Sequence, residues 1–399
     1  MKILVINPGS TSTKLSIYEN DHELYTESIF HDAPVLLKFK HVNDQMEFRE
    51  RVILDFLNKH NVSFEDIDAI TGRGGSAYSQ KSGVIKIDES LYLDTYNGVG
   101  GSEHAAKLGV MLAYKLGKEH NIKCYTMDAT NVDELCDYAR ITGIKGVYRN
   151  AQSHVLNQKA VAKYYASEIG KKYEECNFIV CHIDGGITVS AHHNGKMIDG
   201  NVGSGGDGSF TPTRIGSVPV LTLLDYIEKH SLQDVRTMCS RSGGFVSYFN
   251  TSNVDTIREL IKKGDKKASL IWKAMIYNIA KEIGSMSCVL KGNVDAIILT
   301  GGFIRFNDLI DDLKEYCGHI GKIVCVADRE QETLALETYK VLTGEIEANE
   351  YTKEPVFKGF DFIWWKEFIY IDVLYVRNTF LKKDQTAMKY VQYVDGKMI

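Results

Sequence analysis

The residues best suited to chemistry stand near the start of the chain, where Asn7-Pro8-Gly9-Ser10-Thr11-Ser12-Thr13-Lys14 directly follows the apolar run Ile3-Leu4-Val5-Ile6. Glycine permits close backbone approach, four consecutive hydroxyl residues add O–H donors to the backbone N–H groups, and the lysine supplies positive charge. Such a turn suits an anion such as phosphate. Leu15-Ser16-Ile17-Tyr18 then alternates apolar and polar residues, so the chain returns as a second strand. That excludes a Walker loop, which opens a helix after its Gly-Lys-Ser/Thr. An ordinary Ser/Thr-rich hairpin fits this stretch equally well when it is taken alone.

The pattern recurs. Phe178-Ile179-Val180-Cys181-His182-Ile183 is a second apolar run, broken by Asp184-Gly185-Gly186 and followed by the alternating Ile187-Thr188-Val189-Ser190-Ala191-His192. Asn194-Gly195 supplies the positive-φ pair of a tight hairpin. Ile67-Asp68-Ala69-Ile70-Thr71-Gly72 is echoed by Val294-Asp295-Ala296-Ile297-Ile298-Leu299-Thr300-Gly301-Gly302. The two pairs occur in the same order, which implies a duplicated domain whose halves each present a strand–turn–strand to something shared.

The elements that must hold these turns are legible from periodicity. Phe48, Val52, Ile53, Phe56 and Leu57 mark one helix, and Ala105, Leu108, Met111 and Leu112 a second that starts after Ser102 and runs toward Leu116. A linking helix is expected from Val155 to about Gly170, and a long one from Ala268 to Leu290 with Ile271, Met275, Ile279 and Ile283 on one face. It feeds the strand at Ala296–Leu299. The expected architecture is α/β, with mixed sheets built from hairpins and crossover helices in each half.

With 399 residues, 44% of them apolar and 25% charged, the chain can build two globular cores. A net charge of −5 without a dense Lys/Arg run argues against nucleic acid. Eight cysteines without a C-x-x-C pair argue for reduced thiols rather than zinc or disulfides. No segment reaches the ~18 apolar residues of a membrane span, and too few apolar residues precede Asn7 for a signal-peptide core. A soluble cytoplasmic protein is the expectation. Residues 352–399 hold eleven of the forty-one aromatics, which suits packing on the protein surface or joining subunits.

The Asn7–Lys14 turn, Gly72-Arg73-Gly74-Gly75, Leu156-Asn157-Gln158-Lys159-Ala160 and Leu299-Thr300-Gly301-Gly302 together resemble the acetate and butyrate kinases of the actin-like ATPase superfamily, the butyrate kinase branch more closely. The resemblance covers Met1 to about Glu350. It implies two duplicated actin-like ATPase (ribonuclease H-like) domains with mixed sheets and an active-site cleft between them. Their expected bounds are residues 1–165 and 166–351, the second binding nucleotide, with 352–399 as an extension.

The implied reaction is ATP- and Mg²⁺-dependent phosphorylation of a short-chain fatty acid, butyrate or a branched relative, to its acyl phosphate, reversible with ATP formation. The resemblance also implies a homodimer or higher homo-oligomer. Asn7 would help hold Mg²⁺, with Ser10, Ser12 and Lys14 near the phosphates. His182 would contact the phosphoryl group in flight, while Arg73 and Arg214 would hold the carboxylate and the phosphoryl group. Asp128 would stand at the reaction centre with His104 nearby. The glycines Gly185, Gly186, Gly301 and Gly302 would let the backbone approach the nucleotide. Glu332 would be a second acidic partner of the metal, with Glu330 its close competitor.

This fits elementary chemistry, because a carboxylic acid is ionised at neutral pH and needs no general base. The enzyme must instead bring two anions together, which calls for arginines. The chain departs from the family pattern in placing Asp184 and Ile187 where glycine and threonine are usual, Thr213 and Ile215 around Arg214 where Glu and Ser are usual, and the bulky Phe303-Ile304-Arg305-Phe306 after the last turn. A carboxylate inside a phosphate cradle has the wrong charge. Acetate or propionate kinase, or a catalytically impaired nucleotide-binding homologue, are the alternatives.

Overall fold

A computed structural model describes residues 1–75, 77–101 and 104–360. Ser102 and residues 361–399, and with them most of the aromatic extension, lie outside the described residues. Residues 1–356 form one compact unit, and a second begins at Phe357.

The first unit carries two sheets. One is built from β1 (Lys2–Pro8), β2 (Ser12–Glu19), β3 (His22–Phe30), β4 (Ala69–Gly72), β5 (Val84–Lys86) and β6 (Lys123–Met127), in the order β3-β2-β1-β4-β6-β5. The other comprises β7 (Asn177–Ile183), β8 (Ile187–His193), β9 (Lys196–Gly200), β10 (Ala296–Thr300) and β11 (Ile323–Cys325), ordered β11-β10-β7-β8-β9. In both, the first strand pairs antiparallel with its hairpin partner on one side and parallel with a crossover strand on the other. The two expected echoes therefore coincide with β1–β2 and β7–β8, and with β4 and β10. Asn194 and Gly195, at φ 50° and 73°, make the β8–β9 turn.

Parallel pairing makes strand ends converge. Pro8, Gly72 and Met127 close β1, β4 and β6 on one sheet, as Ile183, Thr300 and Cys325 close β7, β10 and β11 on the other. The crevice beyond the carboxyl ends of parallel strands is where α/β sheets place ligands. The apolar strands bury on both faces: Leu4, Ile6 and Ile70 pack on the helices Met46–Lys59 and Leu108–His120, while Ile179, Ile297 and Leu299 pack on the helix Lys266–Val289.

Between the sheets lie the helices Val155–Glu168 and Glu330–Thr343, joined by the pair Lys163–Glu337 at 3.2 Å. Val161, Ala162 and Ala166 cover Phe178, Val180 and Ile298 of the second sheet. Leu334 and Ala335 instead cover Ile3, Val5 and Met127 of the first. The chain thus returns to the first sheet before its end, and Tyr351 Oη donates to Asp94 Oδ2 at 2.9 Å.

Candidate active site

The first turn is held from beneath by Arg49. Its guanidinium is wholly buried and donates to the carbonyls of Ser12 (2.7 Å) and Gly9 (2.9 Å), to Thr13 Oγ1 (2.9 Å) and to Gln45 Oε1. These partners are neutral, and burial draws its pKa down to about 10. A cation sealed behind Gly9–Thr13 adds positive potential where the turn's donors point.

Beside it, Asn7 Nδ2 donates to Glu330 Oε2 at 2.9 Å, while Arg73 donates to Asn7 Oδ1 at 3.3 Å and pairs with Glu330 Oε1 at 3.1 Å. Parallel pairing of β1 with β4 places Arg73 there, its backbone N–H bonding Ile6 O at 2.9 Å. Burial pushes the Glu330 carboxyl above its usual range, against the pull of Arg73. Lys14 Nζ lies 3.5 Å from Asp328, whose Oδ1 also accepts the Glu330 N–H.

His182 ends β7 one position before Ile183. Its Nδ1 lies 2.8 Å from Asn157 Oδ1, and its ring stacks on His154 with centroids 4.0 Å apart. Burial holds the His182 pKa at about 4, Asp184 and Asp328 pull it up, and Arg73 and Arg214 push it down. Burial, His182 and the same two arginines push His154 well below its ordinary value. The fields of Arg73 and Arg214 thus converge on one pair of neutral imidazoles.

Arg214 lies across the second turn, where a Cβ on Gly186 would stand 2.7 Å from its Nη1. It donates to Gly203 O, while its buried Nε has no hydrogen-bond partner among the described residues. No carboxylate pairs with it among the described residues, and burial lowers its pKa. Thr211 Oγ1 links the substrate-side loop to the second turn, donating to Gly185 O at 2.9 Å and accepting the Arg214 N–H at 3.1 Å. Gly301 turns at φ 92°, close against the Ile183 carbonyl.

The remaining expected residues are placed less centrally. Asp128 follows β6 at φ 43°, with Oδ1 accepting from Ser82 Oγ (2.6 Å) and Gly83 N (3.1 Å). His104 Nδ1 accepts the Ala106 N–H at 3.1 Å, so its Nε2 carries the proton toward Ser10 Oγ at 3.2 Å. The enclosing protein and then Arg73 and Arg214 lower its pKa to about 4. Glu332 lies on another face of its helix and pairs with Arg329 at 2.8 Å, whereas Glu330 stands beside Asn7. Arg49 and Asn157 were not among the expected site residues, although Asn157 lies in the Leu156–Ala160 motif.

The two sheets share a five-strand order, and the ends of their parallel strands place Asn7, Arg73, His182 and Gly301. Residues 140–333 match the model of the acetokinase family. The acetokinase-like segment spans the linking helix, the second sheet and Arg214, and ends just after Glu332. Among solved structures, acetate kinase from Porphyromonas gingivalis superposes with a TM-score of 0.71 at 19% identity, over 86% of this chain and 99% of that one. A propionate kinase from Francisella tularensis gives 0.68 at 17% identity, over 84% and 98%. Acetate kinase from Entamoeba histolytica gives 0.68 at 16%, over 86% and 100%. At these identities the superpositions establish a shared fold, the actin-like ATPase arrangement.

Proposed function

We propose that this protein transfers a phosphoryl group between ATP and the carboxylate of a short-chain fatty acid, butyrate or a branched relative. The observation that carries the reading is Arg214, a half-buried guanidinium without a carboxylate partner among the described residues, whose field meets that of Arg73 at His182 and His154. Anionic substrates balance such a pair. The match to the acetokinase family supports the reaction class, and the closer resemblance of the four motifs taken together to the butyrate kinase branch is the ground for naming butyrate.

The chemistry asks little of a base. The acid arrives ionised, so Asp128, with Oδ1 fixed by Ser82 and Gly83, acts by orienting the site rather than by taking a proton. Arg73 and Arg214 hold the carboxylate and the transferring group in line, and the backbone donors of the first turn receive phosphate oxygens. Asn7 Oδ1 and the Glu330 carboxylate are hard oxygen donors of the kind Mg²⁺ accepts. Asn7 and Glu330 would hold the ion, which when bound neutralises charge on the phosphates.

Asp184 favours a second reading, a homologue that binds nucleotide but turns over poorly. Trapping the acyl phosphate as a hydroxamate, across acids of two to six carbons, separates the two. Colour dependent on ATP and greatest near four carbons is the expected result. None with any acid, in protein that binds ATP by calorimetry, would establish the second reading.

A further inference from the structure

Asn157 stands at the start of the linking helix, wholly buried, and makes one bond with each end of its amide. Its Nδ2 donates to Asp328 Oδ1 at 3.1 Å, and its Oδ1 faces His182 Nδ1 at 2.8 Å. An ionised carboxylate only accepts hydrogen bonds, so the amide must turn its nitrogen toward Asp328. Its oxygen then faces the imidazole, and His182 must carry its proton on Nδ1. Nε2, on the far side of the ring, has no hydrogen-bond partner among the described residues.

We propose that Asn157 and Asp328 form a relay that fixes the tautomer and direction of His182, so that Nε2 is the nitrogen presented to the transferring phosphoryl group. The last clause rests on the kinase reading above; the tautomer does not. Both are positioning residues, since neither needs to touch substrate. Asp328 is suited to the task by its other contacts. It accepts the Glu330 N–H at 3.0 Å and faces Lys14 at 3.5 Å, so the carboxylate is held in place from two sides. Stacking on His154 sets the plane of the ring, and the amide sets its rotation. Through this path, residues of the nucleotide side determine which face of His182 meets the substrate. An unfixed imidazole would spend part of its time with Nε2–H and a lone pair turned toward Asn157, losing the bond and the alignment together.

The test uses full-length protein labelled with ¹⁵N in histidine, with the His182 signals assigned by comparison with His182→Gln. Wild type should show a protonated Nδ1 and an unprotonated Nε2 in the absence of substrate. Asp328→Asn removes the constraint on the amide, so both tautomers should appear, with kcat down about 10- to 100-fold and KM little changed. Asn157→Ala should do the same, and because Asp328 is the exposed partner its variant remains informative if Asn157→Ala fails to fold. Pairing Asn157→Asp with Asp328→Asn reverses the relay while keeping an acceptor for Nδ1–H, and should restore the single tautomer and most of kcat. Retention of the single tautomer in both single variants, or its failure to return in the swapped pair, would overturn the proposal. Wild type that shows the tautomer but makes no acyl phosphate would count against the kinase reading and leave the relay supported.

Discussion

Asp184 Oδ2 accepts the backbone N–H of Gly302 at 3.1 Å, so a carboxylate ties the turn after β7 to the turn after β10. Its Oδ1 accepts the N–H of Gly185 at 2.8 Å. These glycine donors are of the kind that phosphate oxygens use, and here an acidic side chain already holds them. Like charge and occupied donors together oppose a nucleotide by roughly 1–4 kcal/mol. Asp184→Gly should therefore tighten ATP binding by at least about fivefold and raise turnover, with the Mg²⁺ requirement unchanged. Calorimetry and steady-state kinetics measure this, and weaker binding with a raised Mg²⁺ requirement would make Asp184 a metal ligand instead.

The two arginines should differ on removal. Arg214→Ala deletes a cation without a carboxylate partner among the described residues, so kcat should fall about 10²- to 10³-fold with little change in thermal stability. Arg73→Ala also leaves Glu330 and Asn7 without their shared donor. It should lose as much activity and, in addition, about 1–3 kcal/mol of stability. Near-normal rates in either variant would remove that arginine from the mechanism, and equal melting temperatures would contradict the Arg73–Glu330 linkage.

Buried histidines give stability a defined pH dependence. Thr13 Oγ1 accepts from Arg49 and lies 2.7 Å from His31 Nε2, and burial with Arg49 holds His31 at about 4 against an ordinary 6.5. His192, bonded by Tyr173 Oη at 2.7 Å, is lowered to about 3 by burial, with Lys159 adding to it. The unfolded chain takes these protons at higher pH than the native state does. Their contribution is complete above the ordinary value and is lost as pH falls through the native ones. Denaturant titrations should show stability falling from about pH 6.5 toward 4, and His31→Gln should flatten that slope. An unchanged slope would mean that His31 is not held neutral.

The C-terminal boundary can be tested by truncation. A chain ending at Val356 keeps Tyr351 on Asp94 and the helix Glu330–Thr343 on the first sheet, and should bind ATP as the full chain does. One ending at Glu350 loses Tyr351 and should melt at lower temperature. Loss of ATP binding in a well-folded 1–356 chain would place the extension in the active site.

Much of this arrangement is legible in the sequence because a strand–turn–strand is local, and its alternation and glycines state the pairing directly. Ile3–Tyr18 and Phe178–His192 became the two central hairpins for that reason. Long-range placement is less visible. Arg49 falls on the buried and otherwise apolar face of its helix, where period alone cannot reveal the carbonyls it serves. Glu330 and Glu332 are two residues apart, about 200° around a helix, so only the packing of Leu334 and Ala335 on the first sheet decides which one meets Asn7. Asn157 lay within a recognised motif, but its role depends on Asp328, far along the chain.

In the proposed reaction the carboxylate oxygen itself attacks phosphorus, assisted by Arg73 and Arg214. Butyrate labelled with ¹⁸O in its carboxyl group, incubated with ATP and Mg²⁺ and followed by ³¹P NMR, tests it most directly. Attack by the carboxylate oxygen produces an acyl-phosphate resonance carrying the isotope shift of a bridging ¹⁸O. Release of unlabelled inorganic phosphate alone, with no acyl-phosphate signal, would mean that water is the acceptor and would contradict it.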